Sequence, residues 1–186
     1  VVEGQAGTDT MLFNGSANAT RRQALVPLHE IFAGRDQRRL RCLDVGCGEG
    51  VLTHKWAERL GDGRIVGIDL DEPELQAAWE HRKRDNLEYR VLEATKLPFA
   101  DNEFEMVSAI EVLEHVPEPA STIAEMGRVA AKYVLVSVPR EPLWRGMNMA
   151  RGAYWKDLGN TPGHVNHWSM RAFVAELSKI GKVVET

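Results

Sequence analysis

The residues that could do chemistry in this sequence gather just after its short apolar runs. After Leu40 to Val45 the chain reads Gly46-Cys47-Gly48-Glu49-Gly50. Glycines at such a place permit positive φ and let a ligand lie against bare backbone with no Cβ in the way. A tight strand–helix turn alone would also use glycine, so the cluster by itself decides little. Two features favour a ligand. The dinucleotide fingerprint G-x-G-x-x-G wants its third glycine at position 51, but Val51 stands there and the glycine is at 50, which makes a poor cradle for a pyrophosphate. Asp69 ends the next apolar run, twenty-one residues beyond Gly48, and an acid at that distance can accept hydrogen bonds from ribose hydroxyls. Together they imply a nucleoside ligand that makes no demand for a pyrophosphate site.

Two further groups could act on a second substrate. Glu111, Glu114 and His115 follow a later apolar run at E-x-x-E-H spacing. If helical, they share one face, which could hold a hard divalent ion. The alternative is that His115 packs and hydrogen-bonds locally with no metal, and the sequence favours that alternative. The second group is aromatic: Trp144, Tyr154, Trp155, His164, His167 and Trp168 crowd into twenty-five residues. Aromatic walls with a few polar groups suit a small-molecule pocket, although a cluster closing the core would read the same. Ser169 is expected to cap the helix that follows. His29, His54 and His81 are expected at the surface or its boundary.

The elements that must position these residues alternate along the chain. Strands are expected at Leu40 to Val45, Arg64 to Ile68, Leu87 to Leu92, Phe104 to Ile110, Tyr133 to Val138 and from Lys182 onward. Helices are expected at Val51 to Leu60, Pro73 to Arg84, Pro119 to Val129 and Met170 to Ile180. Residues 1 to 35 read as a mobile start followed by one helix, capped by Asn18 or Thr20 and stopped by Gly34. The order implies βαβ units and a doubly wound, mostly parallel α/β sheet with helices on both faces. The strands are nearly continuous in apolar residues, as burial on both faces requires. Such sheets bind ligands at the C-terminal ends of their strands, where the glycine loop, Asp69 and Glu111 to His115 all fall.

Four segments give the pattern a name. Asp44-Val45-Gly46-Cys47-Gly48-Glu49-Gly50 and Gly67-Ile68-Asp69-Leu70 resemble the first two motifs of class I S-adenosylmethionine-dependent methyltransferases. Leu97-Pro98-Phe99-Ala100-Asp101-Asn102-Glu103-Phe104 resembles the approach to their fourth strand, and Val112-Leu113-Glu114-His115-Val116 the segment after it. The resemblance covers about residues 40 to 140. It implies S-adenosylmethionine as cofactor and transfer of a methyl group to oxygen, nitrogen or carbon of a small-molecule acceptor. By the same resemblance Gly46, Cys47 and Gly48 lie against the methionine part, with Asp44 orienting its ammonium. Asp69 would bind the ribose and Leu70 cover one adenine face. Glu93 takes a place where the family often has Asp, Ala94 gives backbone contact to the adenine, and Ile110 lines the methionine side. His115 and His167 are the candidate catalytic residues, and no metal is expected. The family sheet usually finishes with a sixth strand and an antiparallel seventh. Here the chain stops at Thr186, just inside the sixth, so C-terminal strands are expected to be missing and an edge left open.

Composition narrows the remaining choices. The 186 residues suit one domain, with 36–138 as cofactor core, 139–169 as an aromatic lid or acceptor insertion, and 170–186 as the final helix and start of a strand. Twenty-three basic residues against twenty-seven acidic ones give a net charge of −4, which argues against a nucleic-acid partner. No run approaches a membrane span, and the start, which lacks Met and looks trimmed, is not a signal peptide. Cys42 and Cys47 suggest neither a disulfide framework nor a zinc knuckle, so a cytoplasmic protein is expected, monomeric or weakly dimeric. The rival readings are a nucleotide-dependent oxidoreductase, against which the misplaced third glycine counts, and a non-catalytic module that binds S-adenosylmethionine.

Overall fold

The computed structural model describes residues 2–3, 9–13, 40–139, 148–150 and 162–185. The strands are β1 Val2–Glu3, β2 Asp9–Phe13, β3 Arg41–Val45, β4 Arg64–Asp69, β5 Leu87–Val91, β6 Phe104–Ile110, β7 Ala130–Ser137 and β8 Lys182–Glu185. The helices are α1 Val51–Leu60, α2 Pro73–Glu80, α3 Pro119–Val129 and α4 Met170–Leu177. One sheet carries all eight strands in the order β1-β8-β2-β7-β6-β3-β4-β5. Every pairing is parallel except β1 with β8. Strand order reverses at β3, which lies between β4 and β6. A crevice at the C-terminal ends is the geometric result.

Alternation along the strands divides the core into two layers. Cys42, Ile65, Met106, Ile110 and Leu135 face α1 through Leu52, Trp56, Ala57 and Leu60. Leu43, Val45, Val66, Ile68, Val107, Ala109, Val134 and Val136 face the other way, with Ile123, Met126 and Val129 of α3 and Phe173 and Leu177 of α4. Helix starts follow local chemistry. Pro73 and Pro119 open α2 and α3, where a missing N–H costs nothing. Ser169 accepts a hydrogen bond from the Ala172 N–H, capping α4 as expected.

Some boundaries and one edge differ from the sequence reading. α2 ends four residues early because the chain turns to feed β5, with Arg84 bridging Leu87. There the Asn86 amide donates to the carbonyls of Ala57, Gly61 and Gly63, closing the end of α1. β7 begins directly after α3 rather than at Tyr133. The edge expected to lie open at the sixth strand is paired: β1 runs antiparallel to β8, and Asp9–Phe13 lies between β8 and β7. Those residues were expected to be mobile, yet a five-residue segment can supply a full parallel ladder wherever a neighbour offers free N–H and C=O groups. The helix expected up to Gly34 lies outside the described residues, as do 140–147 and 151–161, with Trp144, Tyr154 and Trp155.

The loop leading into β6 is held by Arg128 of α3. Its guanidinium donates to the carbonyls of Leu97 and Phe99 and to the carboxylates of Asp101 and Glu125. Glu125 in turn accepts the Leu97 N–H. Arg128→Ala is expected to cost about 2–3 kcal/mol in denaturant unfolding, since two carbonyls and two acids lose a charged donor. Hydrogen bonding from Arg128 holds the Glu125 carboxyl down at about 2. Its contribution is therefore fully present above the ordinary carboxylate range and fades as pH falls toward about 2. In an acid titration of stability, Arg128→Ala should flatten that part of the curve.

Candidate active site

Each nucleoside-side candidate lines one of two neighbouring cavities at the strand ends. The larger, about 520 Å³, is walled by Val45, Ile68 and Leu92 and also lined by Gly46, Asp69, Leu70, Glu93 and Ala94. The smaller, about 300 Å³, is lined by Asp44, Gly46, Cys47, Gly48, Glu49 and Ile110 among others. Gly46 is common to both. The Asp69 carboxylate is fixed before any ligand arrives: Oδ2 accepts the Gly48 N–H at 2.6 Å and Oδ1 accepts the Leu70 N–H at 2.8 Å. Both oxygens keep further lone pairs. Beside it Leu70 is 55% exposed, an uncovered apolar side chain at the cavity mouth. Gly48 adopts φ +55, and a Cβ there would meet nothing within 4 Å. The loop thus leaves open space on its ligand side.

Asp44 sits deeper than the sequence suggests. It is buried, and its oxygens accept the hydroxyls of Thr53 at 2.6 Å and Ser108 at 2.8 Å. Neither hydroxyl is visible in any sequence motif, because one arrives from α1 and the other from β6. Cys47 is half-buried, and burial followed by the Asp44 and Asp69 charges pushes its thiol up. It stays a thiol rather than a nucleophilic thiolate.

Beyond β6 the chain does not continue as a helix. Glu111 takes φ +58, so the shared helical face for Glu111, Glu114 and His115 does not form. Glu111 turns to β7 instead: its N–H donates to Ser137, and its carboxylate accepts the Ser137 hydroxyl at 2.8 Å. Glu114 is buried, with Oε2 lacking a hydrogen-bond partner among the described residues. Burial, and secondarily the Glu111 charge, push its carboxyl up to about 8. His115 lines the larger cavity. Its Nδ1 lies 3.0 Å from the Gly163 carbonyl, which only accepts. Nδ1 therefore donates in that bond, which leaves Nε2, 4.0 Å from Glu114 Oε1, as the other nitrogen of the ring.

The strap after residue 161, read from sequence as part of the aromatic stretch, meets His115 directly. The Val165 and Asn166 N–H groups donate to the Glu114 carbonyl, and the Asn166 amide donates to the carbonyls of Leu113 and Val116. This pins the strap to the turn and sets the His164 ring against His115, centroids 4.8 Å apart. Burial, then the nearby His115 and His167, hold His164 down at about 4, so it is neutral at ordinary pH. Ligating atoms of Glu114, His115 and His164 all lie within 4.8 Å of one another. His167 is exposed and lines neither cavity described above.

Comparison with known proteins agrees with this geometry. The family model described as a methyltransferase domain matches residues 43–135, half of the chain. The chain belongs to the class I S-adenosylmethionine-dependent methyltransferases. It is 42% identical over 115 residues to a ubiquinone biosynthesis O-methyltransferase of Hahella chejuensis, covering 56% of this chain and 48% of that protein. A protein of the same name from Methylococcus capsulatus is 39% identical over 112 residues, covering 59% and 44%. The methyltransferase chain thus spans about half the length of these relatives. Magnesium protoporphyrin IX methyltransferase of Synechocystis, solved with bound S-adenosylhomocysteine, shares the fold at TM-score 0.64 and 18% identity, over 86% of this chain and 72% of that one.

The cofactor of this methyltransferase family is S-adenosylmethionine, and the residues present fit it. A pre-set Asp69, an exposed Leu70 and a glycine loop with open space are what a nucleoside with an amino-acid tail needs. No helix among the described residues of the methyltransferase is long and apolar enough to cross a membrane.

Proposed function

We propose that this chain binds S-adenosylmethionine and transfers its methyl group to an oxygen of a small-molecule acceptor. The observation that carries the reading is the Asp69 carboxylate, held by the Gly48 and Leu70 amides at the mouth of a 520 Å³ cavity that His115 also lines. Similarity to two proteins named ubiquinone biosynthesis O-methyltransferases supports oxygen as the methylated atom. The residues that would hold the cofactor are Asp69, Leu70, Glu93 and Ala94 on the nucleoside side, with Gly46, Cys47, Gly48 and Ile110 on the methionine side. Asp44, held by the Thr53 and Ser108 hydroxyls, lines the smaller cavity and would orient the ammonium of the methionine part. We read residues 1–186 as one domain, with 139–169 on the acceptor side, in a cytoplasmic protein that is monomeric or weakly dimeric and takes no nucleic acid.

When bound, the cofactor supplies a methyl group already activated on a sulfonium. The chain must then hold the acceptor in line, exclude water and take a proton from a hydroxyl. His115 is suited to taking that proton, because its Nδ1–H is fixed on the Gly163 carbonyl and Nε2 is left to accept. At least one of His115 and His167 is expected to orient the acceptor or take its proton, and of the two His115 lines the cavity. Incubation with methyl-labelled S-adenosylmethionine and a panel of hydroxylated small molecules tests the reading. Label should appear on oxygen of at least one acceptor, and label on none would overturn it.

The unpartnered Glu114 Oε2 beside two histidines favours a second reading, in which Glu114, His115 and His164 hold a divalent cation that binds the acceptor oxygen. A His that donates Nδ1–H to a carbonyl presents Nε2 as a metal ligand presents it. Under the first reading, chelator leaves turnover unchanged. Loss of turnover with chelator, restored by Mg²⁺ or Mn²⁺, selects the second.

A further inference from the structure

Trp79 and Tyr89 belong to none of the sequence motifs, yet both reach the glycine loop. Trp79 comes from α2 and is buried; its indole N–H donates to the Gly48 carbonyl at 2.7 Å. Tyr89 comes from β5, and its hydroxyl donates to the Gly50 carbonyl at 3.1 Å. The two rings stack with centroids 5.1 Å apart and planes within 5°. Packed face to face, they present two adjacent donors to the same loop. The fit is close: a Cβ on Gly50 would collide with the Tyr89 hydroxyl and ring. The same loop is open at Gly48.

In a trans peptide the carbonyl and the following N–H point in opposite directions. Bonds that fix the Gly48 and Gly50 carbonyls toward the ring pair aim the Glu49 and Val51 N–H groups away from it. Glu49 and Val51 line the smaller cavity, which neither ring lines. Val51 also opens α1, and Gly50 before it provides no side-chain cap, so the first-turn amides need an acceptor from elsewhere. Gly50 is held twice, because its carbonyl also accepts the His54 N–H. The Gly48 carbonyl has Trp79 at 2.7 Å and otherwise only the weak donor of the Cys47 thiol at 3.8 Å.

Building on the cofactor reading above, we propose that the Trp79–Tyr89 pair is a positioning device that sets the loop amides to receive the cofactor's amino-acid tail. It acts on the tail and not on the nucleoside, which Asp69 and Leu70 hold. The test compares two ligands by calorimetry on the whole protein: S-adenosylhomocysteine, which has the tail, and methylthioadenosine, which lacks it. Trp79→Phe keeps a ring and removes the indole N–H; Tyr89→Phe removes only the hydroxyl. Trp79→Phe is expected to weaken S-adenosylhomocysteine about fivefold to tenfold and Tyr89→Phe about threefold, the lesser loss because His54 still holds Gly50. Methylthioadenosine affinity should stay within about twofold in both. Equal losses for the two ligands, or no loss for either, would overturn the proposal. A wild-type protein that binds neither ligand would overturn the cofactor reading and this inference with it.

Discussion

Asp69→Ala is expected to weaken S-adenosylhomocysteine by about 1.5–3 kcal/mol, roughly tenfold to a hundredfold in Kd. The loss has two sources. The ribose hydroxyls lose a charged acceptor, and the Gly48 and Leu70 N–H groups lose the oxygens that order them. Asp69→Asn should lose nearly as much, because one carboxylate oxygen becomes an NH₂ that cannot accept from a backbone amide. Unfolding of the unliganded variants separates the two sources, since only the second lowers stability. A Kd within threefold of wild type in both variants would remove Asp69 from the binding site.

His115→Ala is expected to lower turnover by about 10²–10⁴-fold, the usual worth of a positioned base, with S-adenosylhomocysteine affinity left within about threefold. His115 lines the larger cavity, and its Nδ1 sits 3.0 Å from the Gly163 carbonyl. His167→Ala, at an exposed position outside both cavities, should leave cofactor affinity unchanged and lower turnover less than His115→Ala. Full turnover in both variants on the true acceptor would place the proton-taking group elsewhere, or show that proximity suffices without one.

Much of this was legible from residues alone because parallel sheets announce themselves. Buried strands such as Phe104–Ile110 read as nearly continuous apolar runs, and Pro73, Pro119 and Ser169 mark helix starts by local chemistry. The glycine loop and Asp69 were legible for the same reason, being close in sequence to the elements that hold them. What escaped depends on long-range contact. Ser108 reaches Asp44 across sixty-four residues, and Trp79 reaches Gly48 across thirty-one. His164 joins His115 through a strap whose Gly163, Val165 and Asn166 bond a turn about fifty residues back. The E-x-x-E-H string misleads because periodicity assumes helical φ, whereas Glu111 turns to +58 and pairs with Ser137. Asp9–Phe13 could not be placed in the sheet from its own residues, since its partners β7 and β8 lie more than a hundred residues away in sequence.

The central claim is that the loop from Gly46 to Gly50 and Asp69 receive S-adenosylmethionine rather than a dinucleotide. Calorimetric titration of the protein with S-adenosylhomocysteine, run beside NAD, addresses it most directly. The expected result is one site of micromolar affinity for S-adenosylhomocysteine, about −8 kcal/mol, and no heat with NAD. Heat with NAD and none with S-adenosylhomocysteine would contradict it.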